Sequence, residues 1–287
     1  MDDVAAIERL VARDVGRGSE LLARYTAGSL RRAAGSLLDT PQPRVGIITG
    51  FYVPGADPPA AETDGPVGAV QVAAAIIALG GSASILTDET CVPVLEAAID
   101  AAGLAVQLDA APTNDRYDEW EKTYRPELTH MIAIERVGPD WSGGPPRNMR
   151  GESVEAWTAP LHRAYTAGSW TRIAIGDGGN ELGMGSLPHD AVAEIVANGE
   201  LIHCGVTADA LIVAGTSNWG AAGLVAALAA VRADLDVRHL LDPAWTKDIL
   251  EAIVHDAGAV DGVLRTPSPT VDGLSWESYA DVLLKLL

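Results

Sequence analysis

Residues 176–185 read Gly-Asp-Gly-Gly-Asn-Glu-Leu-Gly-Met-Gly. Asp177, Asn180 and Glu181 stand there as oxygen-bearing side chains among glycines that permit positive φ and let a ligand approach the backbone. The apolar run 173–175 stops at Gly176, as a buried parallel strand does at its carboxyl end, where open α/β sheets bind ligands. A helix starting near Asn180 presents free N–H groups to the loop. Such a set suits a small anion, a hard divalent cation, or both. Asp-Gly-Gly-Asn is also ordinary turn chemistry, and an Asn or Asp ahead of a helix is often its cap. The coincidence of carboxyls, glycines and a strand end favours a site.

Four more polar clusters follow apolar runs: Glu62/Asp64, Asp88/Glu89, Glu135/Arg136 and Ser217/Asn218. In a doubly wound sheet these positions share one edge. Carboxylates converging there repel one another unless a proton or a cation neutralises them. No histidine is spaced for a soft metal, and oxygen-only donors favour Mg²⁺ or Mn²⁺ over Zn²⁺. Glu62, Asp64 and Asp177 lead the candidates, followed by Asn180, Glu181 and Glu135. Arg136 and Arg150 suit the clamping of a substrate carboxylate because arginine presents a planar fork. Blander assignments stand beside these. Asp88/Glu89 reads as the cap of the following helix, Glu135–Arg136 reads equally as a structural ion pair, and Asp261 and Asp272 read as turn residues. Arg150 reads equally as an ordinary surface residue. Other templates fail: there is no G-K-[ST] for a P-loop, no complete dinucleotide fingerprint, no G-x-S-x-G elbow, and no basic partner for either cysteine.

The elements that must hold these residues alternate in type. Helical periodicity covers residues 3–38, broken at Gly16–Gly18, and prolines 41 and 43 end it. A strand is expected at 45–48, a long loop at 50–66, and a helix from Pro66 to Leu79 closed by Gly80-Gly81. Strands at 84–86, 104–108, 130–134, 173–175 and 211–214 follow. Helices are expected at 93–101, 154–167, 190–197, 220–231 (capped by Ser217 or Asn218), 243–257 and 276–286, with a short one inside the polar stretch 111–127. A second long Gly/Pro loop spans 137–151. This alternation predicts an α/β fold, a doubly wound, mostly parallel sheet with helices on both faces. The chain reads as one domain over 1–287, with the helices of 1–40 packed on it.

Composition limits the partners. Of 287 residues 48% are hydrophobic, which supplies a substantial core, and 39 acidic against 20 basic residues give a formal charge of −19. A face for nucleic-acid phosphates is absent, and an anionic membrane surface is disfavoured equally. The longest apolar stretch, near 221–231, is too short to span a bilayer. Cys91 and Cys204 lie far apart with no C-x-x-C spacing, and the acidic Met-Asp-Asp-Val start lacks a signal-peptide core, so a reducing cytoplasm is expected. The expected partner is a small anionic molecule, with a homo-oligomer left open.

Taken together the motifs are recognisable. Thr-Gly-Phe-Tyr-Val-Pro-Gly followed by Glu-Thr-Asp-Gly-Pro in 49–66, Ile-Glu-Arg-Val-Gly at 134–138, Asn-Met-Arg-Gly at 148–151, the glycine motif at 176–185 and Ser-Asn-Trp-Gly at 217–220 stand in order. Over nearly its whole length the chain resembles the C-terminal domain of the D-glutamate cyclase family. The resemblance implies conversion of D-glutamate to 5-oxo-D-proline with loss of water, assisted by a divalent cation, Mn²⁺ or Mg²⁺. The family's site carries over to Glu62, Asp64, Asp177, Asn180 and Glu181, which match its motif positions. Together with the residues read above, this makes Glu62, Asp64, Asp177, Asn180 and Glu135 the expected metal ligands, Arg150, Asn148, Gly178, Gly179 and Asn218 the expected substrate contacts, and Glu181, Asp177 and Arg136 the expected catalytic groups. Larger cyclases carry another domain ahead of this one. A metal-dependent hydrolase of a small phosphate ester, or a non-catalytic binder of a small anion or amino acid, uses the same acidic cluster.

Overall fold

The computed structural model describes residues 3–287; Met1 and Asp2, the start of the acidic N-terminus, lie outside the described residues. Six strands form the expected parallel sheet: β1 (Arg44–Thr49), β2 (Ser82–Asp88), β3 (Gln107–Ala111), β4 (His130–Ile134), β5 (Thr171–Gly176) and β6 (Ala210–Val213). Their order is β3-β2-β1-β4-β5-β6, every neighbour parallel. The chain winds outward from β1 in one direction, then crosses back to β4 and winds out in the other. The carboxyl ends of β1 and β4 therefore flank the switch point, where a doubly wound sheet leaves a crevice.

Strand side chains alternate between two buried faces, which is why the strands read as continuous apolar runs. Ile132, Ile134, Ile173 and Ile175 face one core; Met131, Ala133 and Ala174 face the other. The longer helices cover the first face: α1 (Val4–Val11), α2 (Ser29–Asp39), α3 (Pro66–Ala78), α4 (Val92–Ala101), α5 (Ser217–Val231), α6 (Pro243–Ala257) and α7 (Trp276–Leu286). α3 and α5 are apolar nearly all round and buried along most of their lengths, as central helices must be. They meet at Gly68, where a Cβ would stand 2.6 Å from that of Ala221. Short helical turns and loops cover the other face. Among the described residues no helix is long and apolar enough to cross a membrane.

Several local expectations are corrected. The helix expected at 154–167 is two short turns, Glu155–Trp157 and His162–Thr166. Pro160 disfavours helical backbone in the residue before it, and the Ala159 N–H is spent on Asp88. The long loop 50–66 contains a two-residue antiparallel ladder, Tyr52–Val53 with Ala60–Ala61. No helix begins at Asn180. Gly179 and Gly183 adopt φ of 97° and 94°, and the loop is pinned instead by hydrogen bonds to its neighbours, Gly138 N–H to the Asn180 carbonyl and Cys204 N–H to the Gly179 carbonyl. α5 starts at Ser217, capped by the Thr216 hydroxyl on the Trp219 N–H at 3.1 Å, which leaves the Ser217 and Asn218 side chains for other partners.

Trp219 is the largest fully buried side chain. It stacks on Tyr279 with ring centroids 5.8 Å apart and donates its indole N–H to the Tyr279 carbonyl, tying α5 to α7. Trp219→Ala is expected to cost about 3–5 kcal/mol, measured as a lower urea midpoint with an unchanged slope.

Candidate functional site

A cavity of about 280 Å³ opens at the switch point, lined in part by Arg17, Glu62, Glu135, Arg150, Asp177 and Asp272. That volume lies at the small end for ligand pockets and suits an amino-acid-sized molecule. Four chain segments supply its acidic wall. Glu62 comes from the loop after β1, Glu135 from the first residue beyond β4, Asp177 from the first beyond β5, and Asp272 from the turn before α7, while Asp64, two residues after Glu62, sits behind Glu135 and Asp177 and does not line the cavity.

Asp64 is held by the start of α5. Its Oδ2 accepts the Ser217 N–H at 2.7 Å and its Oδ1 the Asn218 N–H at 2.8 Å. A carboxylate at a helix N-terminus is stabilised by the free N–H groups and the dipole there. Glu135 has φ of 45°, rare for a residue with a Cβ; its Oε2 accepts the Ser217 hydroxyl at 2.5 Å. Glu181 Oε1 accepts the N–H groups of Asp177 at 2.7 Å and Gly178 at 2.6 Å. The glycine loop is thus folded round a buried carboxylate, which fixes where Asp177 points.

Asp64, Glu135 and Asp177 can each offer an oxygen such that the three lie within 4.8 Å of one another. All are buried, and Asp177 Oδ2 and Glu62 Oε1 have no hydrogen-bond partner. Burial, reinforced by Asp272 and opposed by the α5 N–H groups, pushes the Asp64 carboxyl up to about 7. Burial holds Glu135 well above the carboxylate range, with Asp177 and Glu181 adding to it. It raises Asp177 too, although Arg17 pulls the other way. Crowded, dry carboxyls with unused oxygens are the condition that a hard divalent cation relieves. The donor set fits such an ion.

Two residues of this wall were not singled out as site residues in the sequence. Arg17 forms ion pairs with Asp177, Nη1 to Oδ1 at 2.5 Å, and with Asp272. Its signal is an arginine between two glycines at a helix break: Gly16 and Gly18 have φ of 101° and 81°, and Asp14 Oδ1 gathers the N–H groups of Arg17, Gly18 and Ser19. Asp272 does sit in a turn, with φ of 55°, yet its side chain enters the site. Asp261 remains a turn organiser, accepting the N–H groups of Val263, Leu264 and Gly273.

The other sequence candidates divide. Asn148, Arg150 and Asn180 line the cavity. Asn148 Oδ1 accepts the N–H groups of Arg150 and Glu152, and Asn180 donates to the Arg147 carbonyl at 2.7 Å. Asn218 is fully buried, and its amide ties Gly65, Gly68 and Thr63 to α5. A Cβ at Gly178 would meet Met149 Sδ at 2.6 Å, and one at Gly179 the Val192 side chain at 3.1 Å, so both glycines serve packing. Arg136 lies outside the cavity. It is 1% exposed and makes a two-pronged pair with Asp88, 2.9 Å from Nη2 to Oδ1, with its remaining Nη donors on the Gly50 and Ala159 carbonyls. Asp88 is therefore the partner of Arg136 and not simply a cap. This pair staples the ends of β2 and β4 to the 159 turn, which keeps the crevice walls in register.

The crevice, the oxygen donors and the small pocket define an α/β fold of the doubly wound class with a small cavity beside three buried carboxyls that could hold a metal ion. A family model described as D-glutamate cyclase-like, C-terminal, matches residues 7–287, and the chain belongs to that family. The human protein named D-glutamate cyclase, mitochondrial, is 31% identical over 198 residues, which are 63% of this chain and 32% of the human one. The shared part thus spans about a third of that relative's length.

Arg136→Met is expected to destabilise the protein by about 3–5 kcal/mol because it strands a buried carboxylate, and adding Asp88→Leu should recover most of the loss in chemical denaturation. Burial pushes both the Cys91 and Cys204 thiols up to about 12. Neither should react with a thiol reagent at pH 8 in the native state, and both should react once the chain is unfolded.

Proposed function

We propose that this chain is a lyase of the D-glutamate cyclase type, closing D-glutamate to 5-oxo-D-proline with release of water. We further propose that Asp64, Glu135 and Asp177 hold one divalent cation, Mn²⁺ or Mg²⁺. The observation that carries the reading is the convergence of three buried carboxyl oxygens within 4.8 Å, two of whose residues, Glu135 and Asp177, line a cavity of about 280 Å³. The similarity to human D-glutamate cyclase over 198 residues supports the choice of substrate.

Ring closure joins the substrate's α-nitrogen to its γ-carbon. Two protons leave the ammonium group and two reach the departing oxygen, so the protein carries protons without consuming any. Bound to these carboxylates, the cation supplies Lewis acidity toward the γ-carboxylate, which is otherwise a poor electrophile. Arg150 has no side-chain partner of its own among the described residues and offers its fork to the α-carboxylate. Asn148 sets the turn that presents Arg150. Glu62 faces the cavity, and its unpartnered Oε1 takes a proton from the nitrogen and returns it to the leaving oxygen. Glu181 keeps Asp177 aimed at the cation. The pocket walls hold the flexible substrate folded, which removes much of the entropic barrier to cyclisation. Two free, buried cysteines agree with a reducing, cytoplasmic setting.

The test is incubation of the purified chain with D- or L-glutamate and Mn²⁺, with detection of 5-oxoproline by mass. Product from the D-isomer, lost on chelation, is expected. Glu62→Gln should lower kcat/KM by about a hundred-fold or more. Undiminished turnover in that variant would remove Glu62 from the scheme, and no product from wild type would overturn the assignment.

A further inference from the structure

Arg150 lines the cavity and is exposed, yet its fork settles on no carboxylate. The carboxylate of its own turn, Glu152, is engaged elsewhere. Glu152 Oε2 accepts from Asn148 Nδ2 at 2.8 Å and stands 3.8 Å from Arg265 Nη2. Arg265 is fixed from its backbone: its N–H donates to the Asp261 carbonyl at 2.7 Å, its carbonyl accepts the Asp57 N–H at 3.2 Å, and its φ is 59°. The guanidinium lies against Gly55, where a Cβ would stand 3.2 Å from Nη1. Three loops that line the cavity, through Val53 and Pro54, through Asn148 and Arg150, and through Gly262 and Val263, therefore meet at this one arginine. Its Nε is buried without a partner, so its charge is not held in place by hydrogen bonds of its own.

We propose that Arg265 is a positioning residue for substrate binding: by facing Glu152 it keeps the Arg150 fork free to take the α-carboxylate of D-glutamate. This rests on the reading that Arg150 holds that carboxylate. Arg150 and Glu152 belong to one tight turn, in which Asn148 Oδ1 accepts the N–H groups of both. A guanidinium and a carboxylate so placed pair with each other unless something competes. Arg265 competes for Glu152 and repels Arg150. Burial and the Arg265 charge hold the Arg150 guanidinium below its ordinary value, while Glu152 acts the other way, so the three charges lie within electrostatic reach of one another. The Arg265–Glu152 contact is long, and the Glu152 side chain is 63% exposed. Pairs of that kind add little to stability. The contact therefore decides which cation Glu152 faces and leaves folding to the core.

The experiment is a set of double-mutant cycles on the purified chain with Mn²⁺, reading kcat and KM for D-glutamate and, by calorimetry, its Kd. Arg265→Met keeps the stem against Gly55 and loses only the long contact to Glu152. It should raise KM and Kd about three- to five-fold, the scale of one exposed ion pair, with kcat changed by less than about two-fold. Glu152→Gln should restore KM and Kd in that background, because Arg150 is then released, and should move them by less than about two-fold where Arg265 is present. In an Arg150→Met background, Arg265→Met should add nothing. An Arg265→Met chain with wild-type KM and Kd overturns the proposal. So does a Glu152→Gln effect of equal size with and without Arg265, or a further loss on adding Arg265→Met to Arg150→Met. Wild type that binds D-glutamate without forming product removes the reaction, and Kd alone then decides the inference. Wild type that does not bind D-glutamate overturns the reading of Arg150 and the inference with it.

Discussion

The constraint on which this structure depends is the cost of burying negative charge. A carboxylate moved out of water must be neutralised, hydrogen-bonded or paired, and here several meet at one sheet edge. Each is accommodated differently. Asp64 rests on the N–H groups of α5, Glu181 on the backbone of its own glycine loop, Glu135 on the Ser217 hydroxyl, and Asp177 and Asp272 on Arg17. Glu62 is left with an unpartnered oxygen. A protein under no functional demand would replace such a cluster with apolar residues, often at no loss of stability.

The fold is arranged to meet that demand. The start of α5 is the hub. Thr216 caps the helix, so Ser217 and Asn218 are free to hold Glu135 and the 63–68 segment, while their N–H groups hold Asp64. The close meeting of α3 with α5 at Gly68 brings the loop after β1 to that helix end. Arg136 and Asp88 perform a neighbouring task with a buried pair of their own, fastening the ends of β2 and β4. The site's rigidity is thus distributed over helix caps, a close helix contact and one ion pair, all built from the residues that follow the strands.

Much of the fold was legible. The alternation of short apolar runs with helical periods led to the parallel sheet, because strands buried on both faces cannot hide their hydrophobicity. His130–Ile134 and the helices 243–257 and 276–286 matched their expected bounds. Failures fell where local and tertiary preferences compete. The stretch 154–167 has helical spacing, but Pro160 and the claim of Asp88 on the Ala159 N–H break it. Cap chemistry pointed to Ser217 or Asn218, yet Thr216 took the role and the other two turned to distant partners.

The sequence by itself determined which residues can do chemistry and that they follow strands: Asp177 and Glu181 in a glycine loop, Glu62 and Asp64 before a proline-started helix, Glu135 after an apolar run. Residue type and local spacing are one-dimensional properties, and a doubly wound sheet converts strand ends into a shared edge. Only the tertiary structure decided which of them meet. Arg17 lies 160 residues from Asp177 and 255 from Asp272, and nothing in local spacing reports a contact across such separations. The same holds for Arg136, whose fork looked suited to a substrate until packing gave it Asp88. Pairing among buried charges is set by which segments the fold brings into a dry space, where leaving a charge unpaired costs most.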